Sequence, residues 1–433
     1  MTPLTPPPAP LDVSPSHRSR PRLRALTAGL LAAAVLGAPA PTAAESAESS
    51  ESSESSESPA SVESSGSAEE TVTSASSRQA SARGRLVRVS VMASGLDVPW
   101  DVRPIGGRTL LLTQRDTATL HTWRRGVVRR VRFPSRQVWV SGETGLMGLE
   151  VDPRFQRNRR FYTCQGATRS GGAHDVRVIA WRLSKDATRA GRPEVLLKGI
   201  PATSGRHGGC RLTVTSNGAL LVGTGDAATS SNPQDTTSLG GKTLRLNRAT
   251  GRPWPTNPWP DARSKKRRYV LTYGHRNVQG VMQRRNGTLW SIEHGSYRDD
   301  EVNLLRKGGN YGWDPGPGYD ESVPMTDHSL PGRQRSARWR SGEPTIAPSG
   351  GTFVGGREWG PLKGTMAVAA LKGSQMLFLR FDSDNRLTRV RAPRALKQHG
   401  RLRTVVQLPG GSLVALTSNG DGDDEMLRIR PGA

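Results

Sequence analysis

The chain has 433 residues and carries 62 Lys and Arg against 37 Asp and Glu, a formal net charge of +25. Nucleic acid is the reflex partner for such a charge, but the arginines are scattered without a binding motif, and their densest cluster, Arg263 to Arg268, sits in a Pro-rich stretch. A solvated basic surface with affinity for an anionic cell envelope is the reading that remains. Zinc-ligand spacing, a Gly-x-Ser-x-Gly elbow and a phosphate-binding Gly loop are absent from the sequence.

Residues 1–44 read as a secretory signal. Arg18, Arg20, Arg22 and Arg24 lead into an apolar stretch from Ala25 to Ala38, and small residues follow, placing cleavage near Ala43 or Ala44. The apolar stretch is shorter than the roughly 20 residues that cross a bilayer. No Cys near its end invites a lipid and no adjacent arginine pair precedes it, so Sec-type export is expected. Residues 45–85 are mostly Ser and Glu with almost nothing to bury, the composition of a disordered spacer. Residues 86–433 form the expected folded domain, and they hold 55 of the basic and 28 of the acidic groups.

Within that domain one pattern recurs. A turn leads into a short apolar strand, a polar loop and a second strand. It is seen at Gly107–Trp123, Arg160–Leu183, Gly218–Leu246, Gly287–Leu305, Gly364–Arg380 and Gly411–Ile429. Repeats of this size cannot bury both their own faces, so they stack radially; six of them predict an all-β, six-bladed β-propeller with four-stranded antiparallel blades. A two-sheet sandwich array is the competing architecture. Residues 86–93 alternate as a strand with no local partner, and are expected to complete the last blade and tie the ring shut. Cys164 and Cys210 are the only cysteines; in an exported protein the pair suggests one disulfide, with two buried thiols as the alternative.

A propeller concentrates chemistry in the loops at one mouth of its channel. His207, in Arg206-His207-Gly208-Gly209-Cys210-Arg211, has the titration range of a general base, and Asp226 could orient it. Each alone would equally serve as a backbone-bonded loop residue. Arg276 and Asn277 offer adjacent donors to a carbonyl or anionic oxygen. Acidic groups and Gly-freed carbonyls around Glu293–Glu301 and Gly309–Trp313 suit a hard cation such as calcium, though not in EF-hand spacing. Lys372, Arg401 and Arg403 are cations with few acids nearby, and imply a polyanionic ligand; alternation puts both arginines on one strand face.

Together these motifs resemble the glucose/sorbosone dehydrogenase family of soluble PQQ-dependent aldose dehydrogenases. The resemblance covers about residues 90–430 and shows in Gly95-Leu96-Asp97-Val98-Pro99-Trp100, in Gly142 to Leu149, and in His207-x-Gly209-x-Arg211-Leu212. It continues in Tyr273-Gly274-x-Arg276-Asn277-x-Gln279-Gly280, Glu293-His294-Gly295, Asp300-Glu301-x-Asn303-Leu304, Asn310-Tyr311-Gly312-Trp313 and Ile346 to Gly350. The resemblance implies a six-bladed propeller with PQQ over the channel mouth. It makes His207 the base for the sugar's anomeric hydroxyl, with Asp226 supporting it, before hydride passes to PQQ. It places Arg276 and Asn277 at the quinone oxygens, Glu143 near the cofactor, and Lys372, Arg401 and Arg403 as the cations that hold PQQ. The carbonyls of Gly295 and Ser296 would bind the calcium that polarises PQQ, and Glu301 with the Tyr311 carbonyl a second, structural calcium. The chain departs from the family pattern in four places: Glu143 where several relatives have Gln, Arg206 where glucose oxidisers have Asp, Ser296 for Pro and Thr404 for Asp. The expected function is therefore a secreted dehydrogenase oxidising aldoses to lactones. A calcium-dependent propeller lactonase is the rival enzyme, which the cationic trio disfavours, and a non-catalytic glycan- or envelope-binding propeller is the third reading.

Overall fold

The computed structural model describes residues 86–432; the secretory signal and the Ser/Glu-rich spacer expected from the sequence lie outside them. The described residues form six four-stranded antiparallel sheets, each a blade. Blades 1 to 5 take their strands consecutively and begin at Pro99, Leu146, Arg211, Asn277 and Pro348. Blade 6 takes three strands from the C-terminal segment, Leu402–Gln407, Leu413–Thr417 and Asp424–Pro431, and its fourth from Val87–Leu96. That last strand pairs antiparallel with Asp424–Pro431, from Val87 opposite Pro431 to Leu96 opposite Asp424. The ring is thus closed by hydrogen bonds between segments more than 300 residues apart, as the unpaired N-terminal strand predicted.

The strand sequences follow their depth in the blade. Second strands are packed on both faces and read as unbroken small or apolar runs, as in Ala219–Gly223, Met366–Ala370 and Leu413–Thr417, all fully buried. Outer strands face water and carry arginine: Arg129 and Arg130 in Val127–Val131, Arg389 and Arg391 in Leu387–Arg391. Charge on an edge strand blocks pairing with another chain, so part of the large positive charge has a structural use.

The core is a set of wedges, one at each junction between neighbouring blades. Leu111, Leu120, Phe161 and Trp181 fill the wedge between blades 1 and 2. Tyr162, Cys164, Leu212 and Leu244 fill the next, and Trp290, Phe378, Val405 and Leu416 belong to others around the ring. Burying each such side chain contributes roughly 1.5–3 kcal/mol, and no blade could gain this alone. Cys164 and Cys210 form a disulfide across the blade 2–blade 3 wedge. Among the described residues no helix is long and apolar enough to cross a membrane.

Each inner strand packs against the inner strand of the next blade all round the ring. The residues just ahead of these strands, and the turns after each second strand, therefore converge on one mouth of the channel. Most of the site residues expected from the sequence lie in one of those two places, at the first residues of an inner or third strand, or in the long segment between Leu305 and Trp339 of blade 4.

Candidate active site

His207 lies in the segment entering blade 3, and Asp226 follows that blade's second strand. Both are buried, His207 at 3% and Asp226 at 0% exposure. His207 Nδ1 is 2.8 Å from Asp226 Oδ1. The same oxygen accepts the Ala228 amide at 2.8 Å. Asp226 Oδ2 accepts the Trp313 indole and the Tyr319 hydroxyl, each at 2.9 Å. Tyr319 Oη is also 2.8 Å from His207 Nδ1. A carboxylate fixed by so many donors keeps the imidazole proton on Nδ1, which leaves Nε2 as the acceptor face of a general base. Burial, reinforced by the Asp226 charge, holds the Tyr319 phenol well above its ordinary value, so it stays a donor. Local backbone makes the pair possible: a Cβ on Gly225 would run into the His207 carbonyl, so only Gly lets the two loops touch.

Arg276 and Asn277 begin blade 4 beside this pair, and the Arg276 carbonyl accepts the Asp226 amide at 2.8 Å. Arg276 is buried, stacks 5.7 Å from the Trp313 ring and pairs with Glu321, yet its Nε has no partner. Glu321 also holds Arg206 at 2.6 Å. Asn277 donates to Glu143 Oε2 at 2.9 Å. Burial opposes ionisation of Glu143, but the Asn277 hydrogen bond and a backbone hydrogen bond from His207 act against it, and the carboxyl lies below its ordinary value.

Arg403 is the second residue of the inner strand of blade 6, at 6% exposure, with weak bonds to Gln279 Oε1 (3.3 Å) and Ser349 Oγ (3.5 Å) and an unpartnered Nε. Burial, with Arg115 and Arg211 nearby, pulls its guanidinium down to about 9. Arg211 is buried below it, paired with Asp101 at 2.9 Å, bonded to Thr404 Oγ1 at 3.1 Å and stacked 3.9 Å over Trp100. Thr404 thus serves as an acceptor for Arg211. The expectation that Arg401 and Arg403 share one strand face is only half met. Arg401 precedes the strand, is exposed, and bonds Ser418 carbonyl at 3.1 Å. Lys372 is exposed at the rim, 3.4 Å from the Thr345 hydroxyl.

At the end of the second strand of blade 4, His294 has an unpartnered Nε2, and burial drives its imidazolium down to about 3, opposed by Glu143 and reinforced by Arg403 and Arg276. The Gly295 amide donates to Asp300 at 2.9 Å, while Ser296 Oγ is buried without a partner. Glu301 accepts Asn303 Nδ2 at 3.0 Å and Thr326 Oγ1 at 3.0 Å. Burial beside Glu293 pushes its carboxyl up to about 8. Asn303 bridges Glu301 to Glu293, which holds His275, whose ring stacks 4.4 Å from Tyr311. Among the described residues no three or more His, Cys, Asp or Glu converge as a metal cage. A cation here would therefore rest on carbonyls and isolated carboxylates. The unpartnered Asn303 Oδ1, the strained protonation of Glu301 and the unpartnered Ser296 Oγ fit such a cation.

The structure brings His207, Asp226, Arg276, Asn277, Glu143 and Arg403 together, and leaves Lys372 and Arg401 at the edge. Tyr319 and Glu321 are additions that motif reading missed, because they sit in an aperiodic segment 45 to 115 residues from the partners they hold. Lys242 is another: it is buried, and its ammonium bonds the carbonyls of Asn232, Pro233 and Gly240 at 2.5–2.9 Å, bracing the loop that carries Asp226.

Comparison with known proteins shows the family and agrees with the fold. Residues 96–428 match the Glucose / Sorbosone dehydrogenase family. An aldose sugar dehydrogenase from Escherichia coli is 28% identical over 360 residues, 80% of this chain and 93% of that one. The PQQ-bound aldose sugar dehydrogenase of Streptomyces coelicolor is similar in structure, with a TM-score of 0.67 and 28% identity over 79% of this chain and 98% of that one. The soluble aldose sugar dehydrogenase of Escherichia coli in its apo-form gives a TM-score of 0.72 at 26% identity, over 80% of this chain and 99% of that one.

Proposed function

The chain belongs to the glucose/sorbosone dehydrogenase family, and on that premise we propose that it is an exported, PQQ- and calcium-dependent dehydrogenase that oxidises aldoses at the anomeric carbon to lactones. One observation carries the reading. Buried polar atoms without protein partners cluster with His207: Arg276 Nε, His294 Nε2 and Arg403 Nε. Buried polar groups are normally satisfied, so a polar, anionic ligand accounts for the set. PQQ carries three carboxylates and suits these cations. The proximity of this family's PQQ-bound member in structure supports the same choice.

When bound, PQQ supplies the two-electron acceptor for the anomeric hydride, with calcium polarising it. The protein's residues do the rest. His207 Nε2 accepts the proton of the anomeric hydroxyl, and Asp226 with Tyr319 stabilises the imidazolium so formed. Arg276 and Asn277 aim donors at the oxygens where negative charge grows, which stabilises the transition state more than the ground state. Arg403 anchors carboxylate charge in a site buried enough to strengthen it. Gly295 and Ser296 would hold the polarising calcium through their carbonyls, and Glu301 with the Tyr311 carbonyl a second one.

Titration of PQQ into the purified protein, with and without calcium, tests the proposal. Tight 1:1 binding that needs calcium is expected. Absence of binding in both conditions rejects the reading.

A further inference from the structure

The face opposite this site carries a feature that sugar oxidation does not use. Inner strands run from the site to the far mouth: Pro99–Gly106, Asn277–Gln283 and Leu402–Gln407 each begin among site residues. At about 3.3 Å per residue, their far ends lie roughly 20 Å away. Three cavities open there. One of about 680 Å³ is lined by Arg284 and Arg285. The next, about 840 Å³, shares Glu358 and Leu408–Gly411 with it and adds Arg88, Arg108, Arg428 and Arg430. A third of about 650 Å³ shares Gly106, Gly107 and Thr109 with the second and extends to Arg124, Arg125 and Lys185. Shared walls make them one curved groove from blade 4 across blades 5, 6 and 1 to blade 2.

The groove is strongly basic. Eleven basic side chains line it, ten of them Arg, against the carboxylates of Glu358 and Asp186. Arg428 Nε is buried in its wall without a partner. Arginine forks match phosphate oxygens in pairs. Phe353 is the one aromatic residue on its lining, so it has no platform for stacking bases. Val127 is the one exposed large hydrophobic on it, so nothing inserts into a bilayer. A long concave track of guanidiniums fits a chain of regularly spaced anions better than a flat charged sheet.

We infer that this groove binds a linear phosphodiester polymer lacking bases, and that the bound protein turns its sugar site away from the polymer. Fluorescence anisotropy with labelled poly(glycerol phosphate) tests this on the purified protein. Arg108→Glu, Arg285→Glu and Arg430→Glu together are compared with reversal of three exposed arginines outside the groove, Arg333, Arg386 and Arg389. The groove variant is expected to bind at least ~10-fold more weakly and with a shallower salt dependence, about 0.7 per lost phosphate contact; the control should stay within about twofold of wild type. Equal losses in both variants, or no binding by wild type, overturn the inference. So does tighter binding of single-stranded DNA, or of anionic phospholipid vesicles, through the same three arginines. Circular dichroism and sugar oxidation check the fold of each variant. If the triple variant unfolds, single reversals of Arg108, Arg285 and Arg430 are compared with single reversals of Arg333, Arg386 and Arg389: each groove reversal is expected to weaken binding about twofold and to lower the salt slope, the control reversals to change neither, and equal effects in the two sets overturn the inference.

Discussion

The Tyr319 hydroxyl lies 2.8 Å from His207 Nδ1, although 112 residues separate the two. It is also 2.9 Å from the far oxygen of Asp226, so the base is held by a three-membered group rather than a pair. Tyr319→Phe keeps the ring beside Trp313 and removes only the hydroxyl. It should lower kcat about fivefold to tenfold, the effect of losing one hydrogen bond of ~1 kcal/mol, with KM nearly unchanged. Asp226→Asn should cost about 10²–10⁴ in kcat, because the imidazole loses its charge partner. Steady-state kinetics of the reconstituted variants decides between these magnitudes and a purely structural role, which would move thermal stability and both constants together.

Arg403 sets function against stability. It is a buried cation with no carboxylate partner among the described residues, held below its ordinary value by burial and by Arg115 and Arg211. Arg403→Met should stabilise the cofactor-free protein by ~1–2 kcal/mol, since removing an uncompensated buried charge is favourable. The same change should weaken PQQ binding ~30-fold or more. Thermal melting and PQQ titration on one preparation read both effects.

Glu301 makes stability depend on pH in a direction opposite to most carboxylates. Its folded-state value is raised to about 8 by burial and Glu293, whereas in the unfolded chain it sits near 4.3. Between those values the unfolded state releases the proton and the folded state keeps it. The contribution is therefore complete below about 4.3 and is lost as pH rises through about 8, with ~1.4 kcal/mol per unit as the upper bound of the slope. The Tm difference between wild type and Glu301→Gln without calcium should change across that window. Calcium should flatten it for wild type alone.

The Cys164–Cys210 disulfide closes a sequence separation of 46 residues between blades 2 and 3. Replacing both with Ser should cost about 2–5 kcal/mol, read by chemical denaturation. Activity should fall as well, because Cys210 lies three residues from His207 in the same loop.

Much of this was legible from residue order. Gly-led apolar runs such as Gly218–Gly223 and Gly411–Leu416 marked the second strands of blades 3 and 6, because those strands are buried on both faces and need unbroken small or apolar residues. His207, Asp226, Arg276 and Asn277 were singled out by polar motifs in the loops flanking such runs, and their roles came from the family resemblance those motifs carry. Tyr319 and Glu321 were not, since they reach the site from a stretch between Leu305 and Trp339 that has no strand period to place it. Arg401 and Arg403 misled for a related reason: strict alternation holds inside a strand, and the strand begins only at Leu402.

The central claim is that His207 Nε2 removes the proton of an aldose while bound PQQ takes up its hydride. Single-turnover absorbance of the PQQ- and calcium-loaded protein mixed with a panel of aldoses measures this directly. The account predicts sugar-dependent reduction of the quinone in wild type with lactone as product, and loss of that phase by about 10²-fold or more in His207→Gln while PQQ remains bound. Reduction at the wild-type rate in His207→Gln, or no reduction of bound quinone by any aldose in wild type, would contradict it.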